Sequence, residues 1–202
     1  TQPFPVWDCK DRYSMQFCKT VFKNNAETPA NAHKNVLWQS FSARYMNIEI
    51  WSVGKESDAF IQEGLNYYFQ KTKPYCPVEL VVLQLPKKAA TTDVERAKQQ
   101  EEELILKRLQ PSHYLILLDE RGKMHNSIQW SQQMQELMNR GTKTLVLLVG
   151  GAFGVTDNVR KQAKQVWSLS PLVFPHQLVR LILAEQVYRS FSILNNSPYH
   201  HV

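Results

Sequence analysis

Two glycine-bearing strand ends and one uncharged loop are where this chain could handle a ligand. Leu118-Asp119-Glu120-Arg121-Gly122 ends one apolar run, and Val149-Gly150-Gly151-Ala152-Phe153-Gly154 ends another. Glycine directly after a strand lets the backbone approach a bound molecule closely, or it makes only a tight turn. Ser168-Leu169-Ser170-Pro171-Leu172-Val173-Phe174-Pro175-His176 is apolar, proline-bearing and free of Lys, Arg, Asp and Glu. Connections between elements are ordinarily shorter and more polar. Its backbone groups suit a planar apolar ligand such as adenine. His176 closes this loop, and Tyr199-His200-His201 follows the next helical stretch. Imidazoles exchange protons near neutral pH. The plainer readings are a hydrogen bond at a helix start for His176 and a frayed terminus for the tip.

Several familiar chemistries are excluded. Gly150-Gly151-Ala152-Phe153-Gly154 is not G-x-G-x-x-G. Gly54-Lys55-Glu56-Ser57 lacks both the earlier glycine and the Ser/Thr after Lys that a phosphate loop requires. Neither a nucleophile elbow nor H-E-x-x-H occurs. Cys9, Cys18 and Cys76 are odd in number and lack metal-ligand spacing. No metal site or disulfide scaffold is expected, and a reducing cytoplasm is the expected compartment.

The elements that must position these residues can be read from pattern. The chain has 202 residues, 43% of them hydrophobic, enough for one core. No apolar run approaches the ~18 residues that span a bilayer, and no signal-peptide pattern opens the chain. All seven glycines lie at or after Gly54. Residues 1–45 have none, are irregular and contain Pro3, Pro5 and Pro29. They are read as an irregular N-terminal extension to a domain at 46–202, with Met46 a possible natural start. The rival is a small packed subdomain built on Trp7, Phe17, Phe22, Trp38 and Phe41.

Strands are predicted over 47–53, 78–85, 114–118, 144–149 and 165–169. Ser57 is predicted to cap a helix burying Phe60, Ile61, Leu65 and Tyr68. Thr92-Asp93-Val94-Glu95 reads as a capping box for a helix to about Leu109, striped by Val94, Ala97, Leu104 and Ile105. On that helix Glu101-Glu102-Glu103 is expected to be a solvated flank. Helices are predicted over 127–139, from about Asp157, and over 175–194, the last with proline in its first turn. Apolar strands separated by helices indicate an α/β fold with a mostly parallel sheet and flanking helices. In such sheets ligands bind beyond the carboxyl ends of the strands.

From Met46 onward the chain resembles the RlmH (YbeA) family of SPOUT-class RNA methyltransferases. The resemblance is carried by Leu117-Leu118-Asp119 with Gly122-Lys123, Leu148-Val149-Gly150-Gly151 with Gly154, and Trp167-Ser168-Leu169-Ser170. It continues through Pro175-His176-Gln177-Leu178-Val179-Arg180, Ala184-Glu185-Gln186-Val187-Tyr188-Arg189 and Asn196-Ser197-Pro198-Tyr199-His200. These blocks run in unbroken order over nearly the family's whole length. One departure is His201, where family members commonly carry Arg or Lys.

The resemblance implies a C-terminal deep trefoil knot and S-adenosylmethionine as cofactor. Its binding residues would be Leu118, Gly150, Leu169, Ser170, Pro171, Leu172, Val173 and Phe174. It further implies a homodimer, each active site completed by the partner, that methylates N3 of a pseudouridine in helix 69 of 23S rRNA within assembled ribosomes. N3 bears a proton, so His176, His200 and His201 become candidates to remove it. Tyr199 could stack on or hydrogen-bond the base, and Arg189 could hold a phosphate or base carbonyl. Against that, Arg189 could simply pair with Glu185 one turn earlier. The competing function is a catalytically silent RNA- or ribosome-binding module on the same fold.

The net charge of +6 is unevenly spread. Residues 140–202 hold seven Lys/Arg (Arg140, Lys143, Arg160, Lys161, Lys164, Arg180, Arg189) against Asp157 and Glu185, giving +5. That concentration predicts salt-sensitive binding to an anionic partner.

Overall fold

The computed structural model describes residues 46–55, 57–85 and 93–199. The N-terminal extension, Thr92, His200 and His201 lie outside the described residues. Five strands form one sheet: β1 (Asn47–Val53), β2 (Val78–Leu83), β3 (His113–Met124), β4 (Thr144–Val149) and β5 (Gln165–Ser168). Their order is β2-β1-β4-β3-β5 and every pairing is parallel. The helices are α1 (Ala59–Thr72), α2 (Val94–Arg108), α3 (Ser127–Asn139), α4 (Asp157–Gln162) and α5 (His176–Leu194).

Side chains alternate across a strand, so each strand feeds two cores. Leu145, Leu147 and Val149 of β4 join Ile48, Ile50 and Ile116 on one face, under α1, α3 and α5. Val146 and Leu148 join Trp51, Leu115 and Leu117 on the other, with Ile105 of α2 and Val159 of α4. This is why Leu145–Val149 is apolar without interruption. Each such side chain taken fully from water contributes about 1.5–3 kcal/mol.

Helix ends follow local chemistry. Asn126 caps α3 by accepting from Gln129 N at 2.8 Å, while the Gln129 amide accepts from Asn126 N at 3.0 Å. Asp93 caps α2 by accepting from Glu95 N at 3.0 Å. Helix α5 is apolar around most of its girth because both α1 and α3 pack on it. A methyl at Gly64 would come within 2.7 Å of Leu181, so glycine lets α1 lie close to α5.

Four expectations are corrected. Asp58, not Ser57, precedes α1, and it makes no side-chain cap. Phe60 is 68% exposed, although Ile61 and Leu65 are buried as expected. Strand β3 does not stop near Asp119 but runs to Met124, with a register shift between Leu118 and Lys123. Gly122 permits this: a Cβ there would lie 2.5 Å from the Trp167 carbonyl carbon. Glu101 and Glu102 are half-buried rather than a solvated flank.

Candidate active site

The carboxyl ends of β3, β4 and β5 open onto a cleft of about 380 Å³. Its floor is the turn after β4. Gly154 N donates to Gly151 O at 3.0 Å, and Gly154 has φ +78°, a conformation that favours glycine. Gly150 and Gly151 are buried, and a Cβ at Gly150 would lie 2.8 Å from Val155 Cγ1. One wall is the uncharged loop. Ser168 Oγ donates to Ser170 O at 3.1 Å, and Ser170 Oγ accepts from Leu172 N at 2.9 Å. These bonds hold the loop curled while Leu172 and Val173 stay exposed at 69% and 82%.

The structure brings Leu118, Gly150, Leu169, Ser170, Leu172, Val173 and Phe174 together around this cleft, with His176. Pro171 belongs to the same loop but does not line the cleft. Asp119, Glu120, Arg121 and Gly151 also line it; they lie in the two strand ends singled out for a ligand but outside the cofactor residues that the resemblance implies. The signal for them was their place at a strand's carboxyl end.

Charge on the cleft's lip is internally matched. Asp119 accepts from Arg121 N at 2.9 Å and Arg121 Nε at 3.3 Å, and it pairs with Arg160 of α4. Burial pushes the Asp119 carboxyl up, but the Arg121 hydrogen bonds and the Arg160 charge outweigh it and hold it below the usual range. His176 is held below its ordinary value, chiefly by burial and then by the charge of Arg180. Arg180, one turn along α5, is 1% exposed. It donates to Ser52 Oγ and Ser57 Oγ, each at 2.9 Å, which ties α5 to the end of β1. Ser57 is therefore engaged by a distant arginine instead of capping its own helix.

Arg189 and Tyr199 lie elsewhere. They are thirteen residues and more beyond His176, and the helix rise separates Arg189 from it by about 20 Å. Arg189 Nε donates to Glu185 Oε1 at 2.9 Å, the pair anticipated from their spacing. Tyr199 Oη donates to the same oxygen at 3.0 Å, and its ring lies 4.9 Å from the Arg189 guanidinium. Tyr188 meets Tyr199 edge-on at 4.7 Å, and Lys71 Nζ lies over Tyr67 at 4.6 Å. Burial first, then a hydrogen bond with Tyr68 and the Glu185 charge, push the Tyr199 hydroxyl well up, so it is a donor at neutral pH. One chain thus presents two separate constellations, a cleft with His176 and a tyrosine-lined patch with Arg189.

Four of the seven cations of residues 140–202 are already buried or paired. Arg180 is buried, and Arg140, Arg160 and Arg189 pair with Glu136, Asp119 and Glu185. Among the described residues no group of His, Cys, Asp and Glu could hold a metal ion, and no helix is long and apolar enough to cross a membrane.

Residues 46–200 match a family described as "Predicted SPOUT methyltransferase". The chain belongs to the SPOUT methyltransferase family. A ribosomal RNA large subunit methyltransferase H from Parabacteroides distasonis is 42% identical over 156 residues, 77% of this chain and 99% of the relative. Proteins of the same name from Flavobacterium psychrophilum and Cytophaga hutchinsonii are each 40% identical, covering 99% and 100% of their lengths. Parallel strands, glycine turn and uncharged loop all meet at the cleft.

Proposed function

We propose that this SPOUT methyltransferase transfers a methyl group from S-adenosylmethionine to N3 of a pseudouridine in helix 69 of 23S rRNA, in the assembled ribosome and as a homodimer. The cleft at the ends of β3, β4 and β5 carries this reading. It is floored by a glycine turn that a Cβ would crowd and walled by a loop without charged residues. Its volume lies in the range of small-molecule sites. The names of the relatives support ribosomal RNA as the acceptor.

The residues present fit the cofactor. Leu118 and Leu169 through Phe174 offer apolar contact and backbone hydrogen bonds to an adenine, and Gly150 with Gly151 lets the main chain close on it. When bound, S-adenosylmethionine supplies an electrophilic methyl group on a sulfonium. The protein's own task is to align acceptor and donor in line and to free the N3 lone pair. Neutral His176 accepts the N3 proton on a ring nitrogen, and burial keeps it neutral. Arg189 and Tyr199 of a second copy hold the base or its phosphate, because within one chain they stand far from the cleft. His200, next to Tyr199 in the sequence, is assigned to the same task in this reading. The trefoil knot implied by the family resemblance belongs to the same reading.

Calorimetric titration with S-adenosylmethionine tests the enzyme reading. Saturable binding, lost on filling the floor with Gly150→Val, is expected. A protein that binds ribosomes but not S-adenosylmethionine would be the silent module instead.

A further inference from the structure

Helix α2 reaches the cleft floor from outside. Ala97, Glu101 and Ile105 are spaced by four and share one face of α2, and Ile105 is buried in the core. Glu101 therefore follows the helix inward. Its carboxylate lies against the Gly151 main chain: both of its oxygens occupy the place a Cβ at 151 would need, and the Gly151 N–H draws its pKa down. Gly151 lines the cleft, whereas Glu101 does not. The neighbouring Glu102 accepts from Asn158 Nδ2 of α4 at 2.9 Å. Two consecutive carboxylates of α2 thus grip the segment 151–158 near both ends.

We propose that Glu101 is a positioning residue for the cofactor cleft, holding the Gly150-Gly151 turn in its binding shape through the Gly151 N–H. The inference rests on the reading that this cleft takes S-adenosylmethionine. Burying a carboxylate without a partner is costly, and burial does push the Glu101 carboxyl up while the Gly151 N–H draws it back down. The same contact explains why position 151 is glycine. Gly151 does not have positive φ, so the backbone would allow alanine; it is the Glu101 carboxylate that excludes one.

The test uses the full chain with Glu101→Gln, Glu101→Ala, Gly151→Ala and the double variant Glu101→Ala/Gly151→Ala. Binding is read by calorimetry with S-adenosylmethionine, and turnover on ribosomes that lack the modification. Gln keeps an acceptor oxygen and is expected to bind within about three-fold of wild type. Ala removes the acceptor and is expected to weaken binding at least roughly ten-fold, raising KM for S-adenosylmethionine with kcat within about two-fold. Gly151→Ala is expected to weaken binding strongly alone but to add little to Glu101→Ala, because the space has been vacated. Equal binding by wild type and Glu101→Ala, or equal weakening by Gln and Ala, would overturn the proposal. If Glu101→Ala does not fold, hydrogen exchange decides: a Gly151 amide protected in wild type and Glu101→Gln supports the bond, and fast exchange in wild type overturns it. Absence of binding by the wild type would instead overturn the cofactor reading itself.

Discussion

His176 and Arg189 belong to opposite ends of one helix. His176 opens α5 beside the cleft, and Arg189 sits near its far end, bonded to Glu185 and covered by Tyr199. No side chain spans about 20 Å, so a reaction that needs both groups at one base needs two chains.

Mixed dimers test this. His176→Ala and Arg189→Ala homodimers are each expected to be nearly inactive, with losses of about 10²–10⁴ for the histidine. Co-assembled, each mixed dimer has one site lacking both groups and one site with both intact. Activity on ribosomes should recover toward half of wild type. No recovery would place both residues in the same chain's site.

The α/β order, four of the strands and the cleft loops were legible in the sequence because apolar runs and glycine or proline punctuation are local signals. The Arg189–Glu185 pair was legible for the same reason, being four residues apart. What escaped was set by distant partners. Ser57 looks like a cap until Arg180 takes its hydroxyl from 123 residues away. Strand β3 looks finished at Asp119 until Gly122 lies against Trp167. Glu101 hid within a run of three glutamates, although its spacing from Ala97 and Ile105 already placed it on the inward face.

His176 carries a pH prediction. Its folded pKa lies below the ordinary 6.5, by burial and by the Arg180 charge. The folded state therefore binds fewer protons than the unfolded one as pH falls below 6.5, and stability from this group is lost between that value and the lower folded one. NMR titration of the His176 ring should give a midpoint below 6.5, with methylation persisting under mildly acid conditions. A midpoint above 6.5 contradicts the burial argument.

Gly122 and Gly64 should differ in tolerance. At Gly122 a methyl meets Trp167 backbone, which cannot turn aside, whereas at Gly64 it meets the Leu181 side chain. Gly122→Ala should destabilise by about 1–3 kcal/mol and Gly64→Ala by less, measured by denaturant unfolding. The reverse order would show that the β3–β5 contact yields easily.

Cys76 is buried, and burial pushes its thiol up to about 12. In a Cys9→Ser/Cys18→Ser background the native protein should react with a thiol reagent only as fast as it opens. Rapid labelling under native conditions would mean that this part of the core is accessible.

The central claim is the modified atom. Ribosomes from a strain without this activity should be incubated with the protein and S-adenosylmethionine, and the 23S rRNA mapped by mass spectrometry. One added methyl group on N3 of a helix 69 pseudouridine is the predicted result. A methyl group at another nucleotide, or none despite cofactor binding, would contradict it.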